Sequence, residues 1–193
     1  MSLQIILASS STSRRQLLDR LHLEYSCQIP DVDETSRDDE TAPAYVQRLA
    51  HAKALKIANL NPDAVVIGSD QCAVLDNMII GKPGNHKAAL RQLQRAQGKT
   101  VVFQTAVCVL NLVTGYEAIA TIPYEVEFRQ LHDEQLDHYL RMEEPYHCAG
   151  SFKSEGYGIM LFSALRGEDP TALIGLPLIA LIPMLEEVGI EVV

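Results

Sequence analysis

A carboxylate stands directly after a short apolar run in the middle of the chain. The run from Ala64 to Ile67 has no alternation, which is typical of a strand covered on both faces, and Gly68, Ser69 and Asp70 then end it. Because open α/β sheets place ligands and catalytic groups at the carboxyl ends of strands, Asp70 is a candidate catalytic residue. The alternative is an aspartate that caps a turn by accepting backbone amides, and the pattern does not decide between the two.

Hydroxyl and guanidinium groups cluster where the first predicted helix begins. The cluster consists of Ser9, Ser11, Ser13, Arg14 and Arg15. Free amides at a helix N-terminus and bidentate arginines both suit phosphate oxygens, so the segment is a candidate phosphate site. A capped helix with solvated arginines is the structural alternative. The segment lacks glycine, which excludes a Walker A loop and a dinucleotide fingerprint.

Lys53 lies near the apolar stripe of the second predicted helix, four residues after Leu49 and eight after Tyr45. A lysine in this position either extends its ammonium to water along the helix edge or points into a cleft at an anion. Periodicity alone leaves both interpretations open.

Four other residues could carry chemistry but give weaker signals. Glu34 and Lys82 are charged loop residues, which are usually solvated. His147 and Cys148 could suggest a nucleophile and its base, but adjacent side chains diverge, so we interpret both as structural.

Composition restricts the classes of partner. The 193 residues are 47% hydrophobic and 21% charged, which is ordinary globular usage, and the net charge of −9 argues against nucleic acid or an anionic membrane as partner. The apolar run Leu3 to Ala8 is too short for a signal peptide, and no segment is long enough to span a bilayer. The four cysteines form no CxxC pair, so we expect a reducing, cytoplasmic location.

The elements that must position these residues alternate between strands and helices. Strands are predicted at 3–8, 25–29, 64–67, 72–75, 78–80, 100–112 and 116–128. Helices are predicted at 14–21, 41–58, 87–96, 134–142 and 177–189, with an acidic exposed loop at 30–41 and a glycine-bearing loop at 147–158. Pro183 should kink or split the last helix. We therefore expect one α/β unit with two lobes around a cleft, in which the 9–15 segment, Lys53, Asp70 and Lys82 converge.

Several short motifs occur in an order that resembles one known family. They are LASSSTSRRQLL (7–18), DVDET (31–35), AHAKA (50–54), IGSDQ (67–71), GKP (81–83), AGSFKSEGYG (149–158) and IGLPL (174–178). Together they resemble the Maf family of nucleotide pyrophosphatases over nearly the whole chain. The pair GSDQ and AGSFKSEG looks like the YceF branch, whose members act on 7-methylguanosine triphosphate.

The resemblance implies a single domain over 1–193 with a mixed, elongated β-sheet flanked by helices, similar to the inosine triphosphate pyrophosphatases. It implies that Asp70 acts as the catalytic base and that Glu34, Lys53 and Lys82 complete the catalytic site. The residues it implies for phosphate binding are Ser9, Ser11 and Arg14, and those for substrate choice are Ser13, Gln71 and Glu155. This chain departs from the branch at Thr12 and Ser13, where proline and a bulky side chain such as tryptophan are frequent.

The implied reaction cleaves a nucleoside triphosphate into its monophosphate and pyrophosphate. It needs charge neutralisation, so we expect Mg²⁺ or Mn²⁺ between phosphate oxygens and carboxylates from Glu34 or Asp70. Methylation at N7 gives guanine a positive charge, which a carboxylate from Glu155 would complement.

Two other functions compete with this one. The first is a pyrophosphatase for pyrimidine (dTTP or UTP) or other noncanonical triphosphates. The second is a nucleotide-binding regulator of septum formation that does not turn nucleotides over. The sequence does not fix the physiological substrate, the preferred metal or the oligomeric state, and a homodimer is compatible with it.

Overall fold

A computed structural model describes residues 3–192. Its strands are β1 (Ile5–Ala8), β2 (Ser26–Gln28), β3 (Val65–Leu75), β4 (Met78–Ile80), β5 (Thr100–Asn111), β6 (Tyr116–Phe128) and β7 (Phe162–Arg166). Its α-helices are α1 (Thr12–Leu18), α2 (Ala42–Ala58), α3 (His86–Ala96), α4 (Asp133–Glu143), α5 (Pro170–Ile174) and α6 (Leu178–Glu187). Short 3₁₀ turns occupy Asp19–Leu21, Ala149–Ser151 and Tyr157–Leu161.

The strands form one mixed sheet in the order β2-β1-β3-β5-β6-β7, and β4 pairs with β3. Strand β1 is parallel to both β2 and β3, with Ala8 opposite Gly68 at its end. The pairs β3/β4 and β6/β7 are antiparallel. The predicted mixed sheet flanked by helices is therefore confirmed.

The chain divides into two compact units. The first contains the residues up to Gln71, Thr105–Ile122 and the chain from Asp169 onward, and the second contains Cys72–Gln104 and Pro123–Glu168. The cleft between two lobes and the single-domain assignment stay predictions.

In the first unit, one face of the sheet packs against α1 and α6. The buried residues of this core are Ile5, Leu7, Leu17, Leu18, Val65, Ile67, Val107, Val109, Leu176, Leu178, Leu181, Leu185 and Ile190. Because side chains alternate along a strand, the intervening residues of β1 and β3 face the opposite side. Helix α2 covers that side and approaches so closely that a Cβ on Gly68 would lie 2.2 Å from the carbonyl oxygen of Ala50.

In the second unit, four phenylalanines pack edge to face against one another. The rings of Phe103, Phe128, Phe152 and Phe162 have centroids 4.7 to 5.8 Å apart. Such offset aromatic contacts add to the free energy gained from burial and help to fix one packing arrangement.

Several predicted boundaries need correction. Helix α1 begins at Thr12 and continues as a 3₁₀ turn after Leu18, rather than running from 14 to 21 as a single helix. The predicted loop at 147–158 contains two 3₁₀ turns. Strand β7 and helix α5 were not predicted.

Pro183 was predicted to kink or split the last helix, and the prediction of a split is wrong. Helix α6 runs through it without interruption. Pro183 lies on the exposed side of the helix, so the carbonyl of Ile179, which loses its helical partner there, is on the side that meets water. Among residues 3–192, no helix is long and apolar enough to cross a membrane.

Candidate active site

Asp70 lies inside a strand and not at its end, which corrects the sequence-based boundary. Strand β3 continues to Leu75 because its second half forms a hairpin with β4, turning at Asp76 and Asn77 with φ of 52° and 62°. Strand β1, however, ends at Ala8, opposite Gly68. Asp70 therefore lies just beyond the carboxyl end of the parallel part of the sheet, where α/β sheets place ligands.

Lys53 is buried and points at carboxylates, so the alternative of an ammonium extended to water does not hold. Its Nζ lies 2.6 Å from Asp70 Oδ1 and 2.6 Å from Glu34 Oε1. The side chains of Lys53 and Asp70 are only 9% and 10% exposed, whereas that of Glu34 is 53% exposed. A buried charge pair open to water on one side is an electrostatic arrangement typical of functional sites.

The loop that carries Glu34 is anchored to α2 at that residue and at residues after it. The Tyr45 hydroxyl donates to the Glu34 carbonyl oxygen at 3.0 Å. Arg48 donates to the Thr35 carbonyl oxygen at 3.1 Å and forms two hydrogen bonds, of 2.6 and 2.7 Å, with the Glu40 carboxylate. Helix α2 thus holds Lys53 and also fixes the loop opposite it.

The predicted phosphate segment forms a tight turn followed by a capped helix. The Ser9 hydroxyl accepts the Ser11 amide at 3.1 Å, and the Ser11 hydroxyl accepts the Arg14 amide at 3.3 Å as the N-cap of α1. Each hydroxyl acts as an acceptor here, so its O–H proton can donate to a phosphate oxygen. The capped-helix interpretation and the phosphate-binding interpretation are therefore compatible.

Arg14 belongs to the same electrostatic group as the carboxylates. Burial lowers the pKa of its guanidinium, and the negative charges of Asp70 and Glu34 oppose that shift. The structure thus brings together four predicted residues of the first unit: Arg14, Glu34, Lys53 and Asp70.

The carbonyl of Gly175 was missed from the sequence although it orients Arg14. It accepts Arg14 Nε at 2.8 Å and the Ser69 hydroxyl at 2.9 Å. Gly175 ends helix α5 with φ of 125°, a conformation that favours glycine. The pair Asp169–Pro170 is an N-cap followed by proline and could have revealed α5.

Two of the residues predicted to determine substrate choice also lie in the first unit. Gln71 follows Asp70 in β3, so its side chain faces the other side of the sheet. Its Nε2 donates to Thr105 Oγ1 and to the carbonyls of Ala172 and Leu173, at 2.8 to 3.0 Å. Ser13 is half-buried in α1. A role of either residue in substrate choice stays a prediction.

Lys82 and Glu155 belong to the second unit, and both are exposed. Lys82 lies in the loop before α3, and Glu155 lies in the loop after α4. Burial raises the pKa of the Cys148 thiol, and Lys153, Glu155 and Lys82 are among the charges that act on it. Lys82 and Glu155 are therefore within electrostatic range of the same sulfur. A buried thiol with a raised pKa is a poor nucleophile, in keeping with a structural Cys148.

Asp70 and Glu34 are the residues that could hold a divalent metal. Across residues 3–192, no group of three or more His, Cys, Asp or Glu side chains could enclose an ion. Mg²⁺ usually takes one or two carboxylates together with waters and substrate phosphates, so this donor set fits an ion that arrives with the substrate. The predicted convergence of Lys82 with these residues stays a prediction.

The family profile and the similar sequences agree with the resemblance of the motifs. The sequence profile described as "Maf-like protein" matches residues 4–188. A protein of Alcanivorax borkumensis named 7-methyl-GTP pyrophosphatase is 50% identical over 97% of this chain and 95% of its own length. A protein of Methylobacillus flagellatus with the same name is 50% identical over 98% of each chain. Among solved structures, the Staphylococcus aureus Ham1 protein aligns with a TM-score of 0.48 and 15% identity, over 65% of this chain and 71% of that one.

Proposed function

The chain belongs to the Maf family, and from that membership we propose that it hydrolyses 7-methylguanosine triphosphate to the monophosphate and pyrophosphate. The observation that carries the proposal is the buried pair of Lys53 and Asp70, with Glu34 on the same ammonium. Buried charge pairs of this kind are concentrated at functional sites, which favours catalysis over nucleotide binding alone. Relatives about half identical in sequence bear the name of this activity.

Asp70 is the group that we assign to activating the water. Its Oδ1 is held by Lys53, which fixes the carboxylate in one orientation. Its second oxygen, Oδ2, would accept a proton as water attacks the α-phosphorus. The bond between the α-phosphorus and the bridging oxygen then breaks, and pyrophosphate leaves with the electron pair.

The cations of the site stabilise the charge that builds up on phosphate oxygens in the transition state. Arg14 Nε donates a hydrogen bond to the Gly175 carbonyl oxygen, which orients the guanidinium. The two terminal nitrogens of Arg14 remain as donors for phosphate. Lys53 and Lys82 are assigned to the same task. A divalent ion held by the carboxylate of Glu34 or of Asp70 would add further charge neutralisation.

Base recognition is assigned to Glu155. Its carboxylate is exposed and accepts a hydrogen bond from the neighbouring Ser154 hydroxyl at 3.3 Å. An exposed carboxylate is suited to the cationic ring of 7-methylguanine and to the N–H groups on its edge. Neutral pyrimidines offer no such positive charge.

The test is pyrophosphate release from a panel of 7-methyl-GTP, GTP, dTTP and UTP, each with Mg²⁺ or Mn²⁺. We expect the methylated substrate to have the highest kcat/KM. Faster hydrolysis of dTTP or UTP would overturn the assignment of substrate and direct attention to Ser13, where the bulky side chain of the branch is missing. Binding of nucleotide without pyrophosphate release would overturn the assignment of catalysis.

The Glu155→Gln variant tests how the base is recognised. Loss of a charge-assisted contact is worth about 1.5 to 3 kcal/mol, so kcat/KM for 7-methyl-GTP should fall roughly ten-fold or more while that for dTTP and UTP changes little. The value for GTP should fall less than that for 7-methyl-GTP, because GTP offers the same edge N–H groups but no positive charge. Equal losses on all four substrates would instead make Glu155 a metal-binding or catalytic residue.

A further inference from the structure

The carboxylate of Glu143 holds the loop that carries Glu155. Glu143 is the last residue of α4, and its Oε1 accepts the backbone amide of Tyr157 at 3.2 Å. Gly156 lies directly against it, because a Cβ on that glycine would be 2.9 Å from Glu143 Oε2. A side chain at position 156 would therefore require the Glu143 carboxylate to shift away from the loop.

Glu143 also holds the nearest cation of the same loop. Lys153 Nζ donates to the Glu143 carbonyl oxygen at 3.0 Å and lies 3.9 Å from Glu143 Oε2. The Lys153 backbone amide donates to the Tyr139 hydroxyl at 3.2 Å, which fixes the start of the loop on α4. Within residues 3–192, Lys153 makes its salt bridge with Glu143, and no salt bridge to Glu155 is found.

This arrangement has an electrostatic consequence for Glu155. Lys153 is only two residues away from Glu155 and has a flexible side chain long enough to reach it. An ammonium paired with Glu155 would neutralise the charge that a cationic base needs. Glu143 keeps that ammonium on α4 instead.

We propose that Glu143 is a positioning residue for substrate choice, which fixes the 153–157 loop and keeps Lys153 away from Glu155. The inference rests on the proposed function, because it assumes that Glu155 meets the methylated base. Glu143 acts through Glu155 and does not touch the substrate.

The test compares Glu143→Gln, Glu155→Gln and the double variant by the ratio of kcat/KM for 7-methyl-GTP to kcat/KM for GTP. Glutamine keeps the shape, an acceptor for the Tyr157 amide and the backbone carbonyl that accepts Lys153 Nζ, but it loses the carboxylate charge that attracts Lys153 from 3.9 Å. We expect Glu143→Gln to lower the ratio about two- to ten-fold, as for residues coupled in one network. The double variant should show no further fall beyond Glu155→Gln, since the charge that Glu143 protects is already gone.

Two further variants complete the design. Glu144→Gln removes the same charge from the adjacent, exposed residue and should leave the ratio unchanged. Gly156→Ala pushes the loop away from Glu143 without changing any charge, and it should lower the ratio while the melting temperature shows whether the fold is kept.

The possible failures are distinguishable. If the wild-type enzyme shows no preference for 7-methyl-GTP, the proposed function fails. If the wild-type enzyme is selective but Glu143→Gln keeps its ratio, or lowers both kcat/KM values equally, only the role of Glu143 fails. A double variant whose losses multiply would show that Glu143 acts independently of Glu155 and would overturn the proposal.

Discussion

At the scale of the residue, the buried contact between Lys53 and Asp70 determines which substitutions the site can tolerate. Each side chain is about nine-tenths buried, and the Nζ to Oδ1 distance is 2.6 Å. Removing one partner from such a pair leaves the other charge buried without compensation, which is far costlier than losing a surface salt bridge. A useful variant therefore changes the chemistry of Asp70 and preserves its shape.

Asp70→Asn is expected to lower kcat by about 10²- to 10⁴-fold, the usual contribution of a general base. The asparagine still offers an oxygen to Lys53, and Glu34 still balances the ammonium, so the fold should survive. Pyrophosphate release and the far-UV circular dichroism spectrum measure the two effects. Asp63→Asn, at an exposed turn position, is the matched control and should retain full activity. Near-normal turnover by Asp70→Asn would remove Asp70 from the mechanism.

The residue types at the site could be read from the sequence, but their partners could not. Asp70 was singled out by the apolar run before it, and Lys53 by its position near an apolar stripe. Nothing in the local sequence showed that Glu34, nineteen residues before Lys53, would meet the same ammonium. That contact depends on the path of a loop without regular structure, which periodicity does not report.

At the scale of the element, the acidic loop before α2 is fixed by the pair of Arg48 and Glu40. Bidentate hydrogen bonds of 2.6 and 2.7 Å join them, and Arg48 also reaches the loop backbone at Thr35. The hydrogen bond from Arg48 lowers the pKa of the Glu40 carboxyl from 4.5 to about 2. Because the folded pKa lies below the unfolded one, this pair stabilises the fold above about pH 4.5 and loses its effect as the pH falls towards 2.

Glu40→Gln should therefore lower the melting temperature at pH 7 and have almost no effect near pH 2. The quantity to measure is the difference in melting temperature between wild type and variant from pH 7 down to pH 2. We expect it to be constant above about pH 5.5 and to shrink below that. A difference that does not change with pH would mean that the carboxylate charge is not what holds the loop.

Gly68→Ala should disturb the packing of α2 on β3. The new Cβ would lie 2.2 Å from the Ala50 carbonyl oxygen and 2.8 Å from the Ala54 Cβ, so helix α2 has to move. Overpacking of this kind costs about 1 to 3 kcal/mol, and the shift would also displace Lys53 from Asp70. Denaturant unfolding should show the loss, whereas Gly81→Ala, which meets no atom within 4 Å, should be neutral in stability.

The bounds of elements with a strong hydrophobic periodicity were predicted well from the sequence. Elements that form because of tertiary contacts were not predicted. Helix α2 and strands β5 and β6 agree with the prediction within a residue or two. Strand β7 has only five residues and forms because β6 offers it an edge. The sequence analysis ended the strand at Gly68 to Asp70 because glycine is unfavourable inside strands. In the structure Gly68 lies within β3, where the absence of a side chain provides room for α2.

At the scale of the whole molecule, the chain has a net charge of −9, although its proposed substrate is also negatively charged. Binding therefore depends on local cations, which outweigh distant charges because salt screens interactions beyond about 10 Å. A ligand that binds only the native state raises its stability by about 2.7 kcal/mol at a hundred-fold excess over Kd.

The catalytically impaired Asp70→Asn variant allows this binding to be measured without hydrolysis. At a hundred-fold excess over Kd, 7-methyl-GTP with Mg²⁺ should raise its melting temperature by roughly 5 to 10 °C for a chain of this size. At equal concentration, dTTP should give a smaller shift. If inorganic triphosphate gave the same shift as 7-methyl-GTP, the base would contribute nothing to binding.

The core of the first unit joins β1 to α6, and this has a consequence for biosynthesis. Leu7 packs in the same cluster as Leu178, which lies 171 positions later in the chain. At about 5 to 20 residues per second, a ribosome needs roughly 10 to 35 s to synthesise the intervening chain. During that time the core lacks the part that α6 supplies, and β1 is covered only by residues made earlier, such as Leu17 and Val65. The nascent chain should therefore depend on chaperones until α6 has emerged.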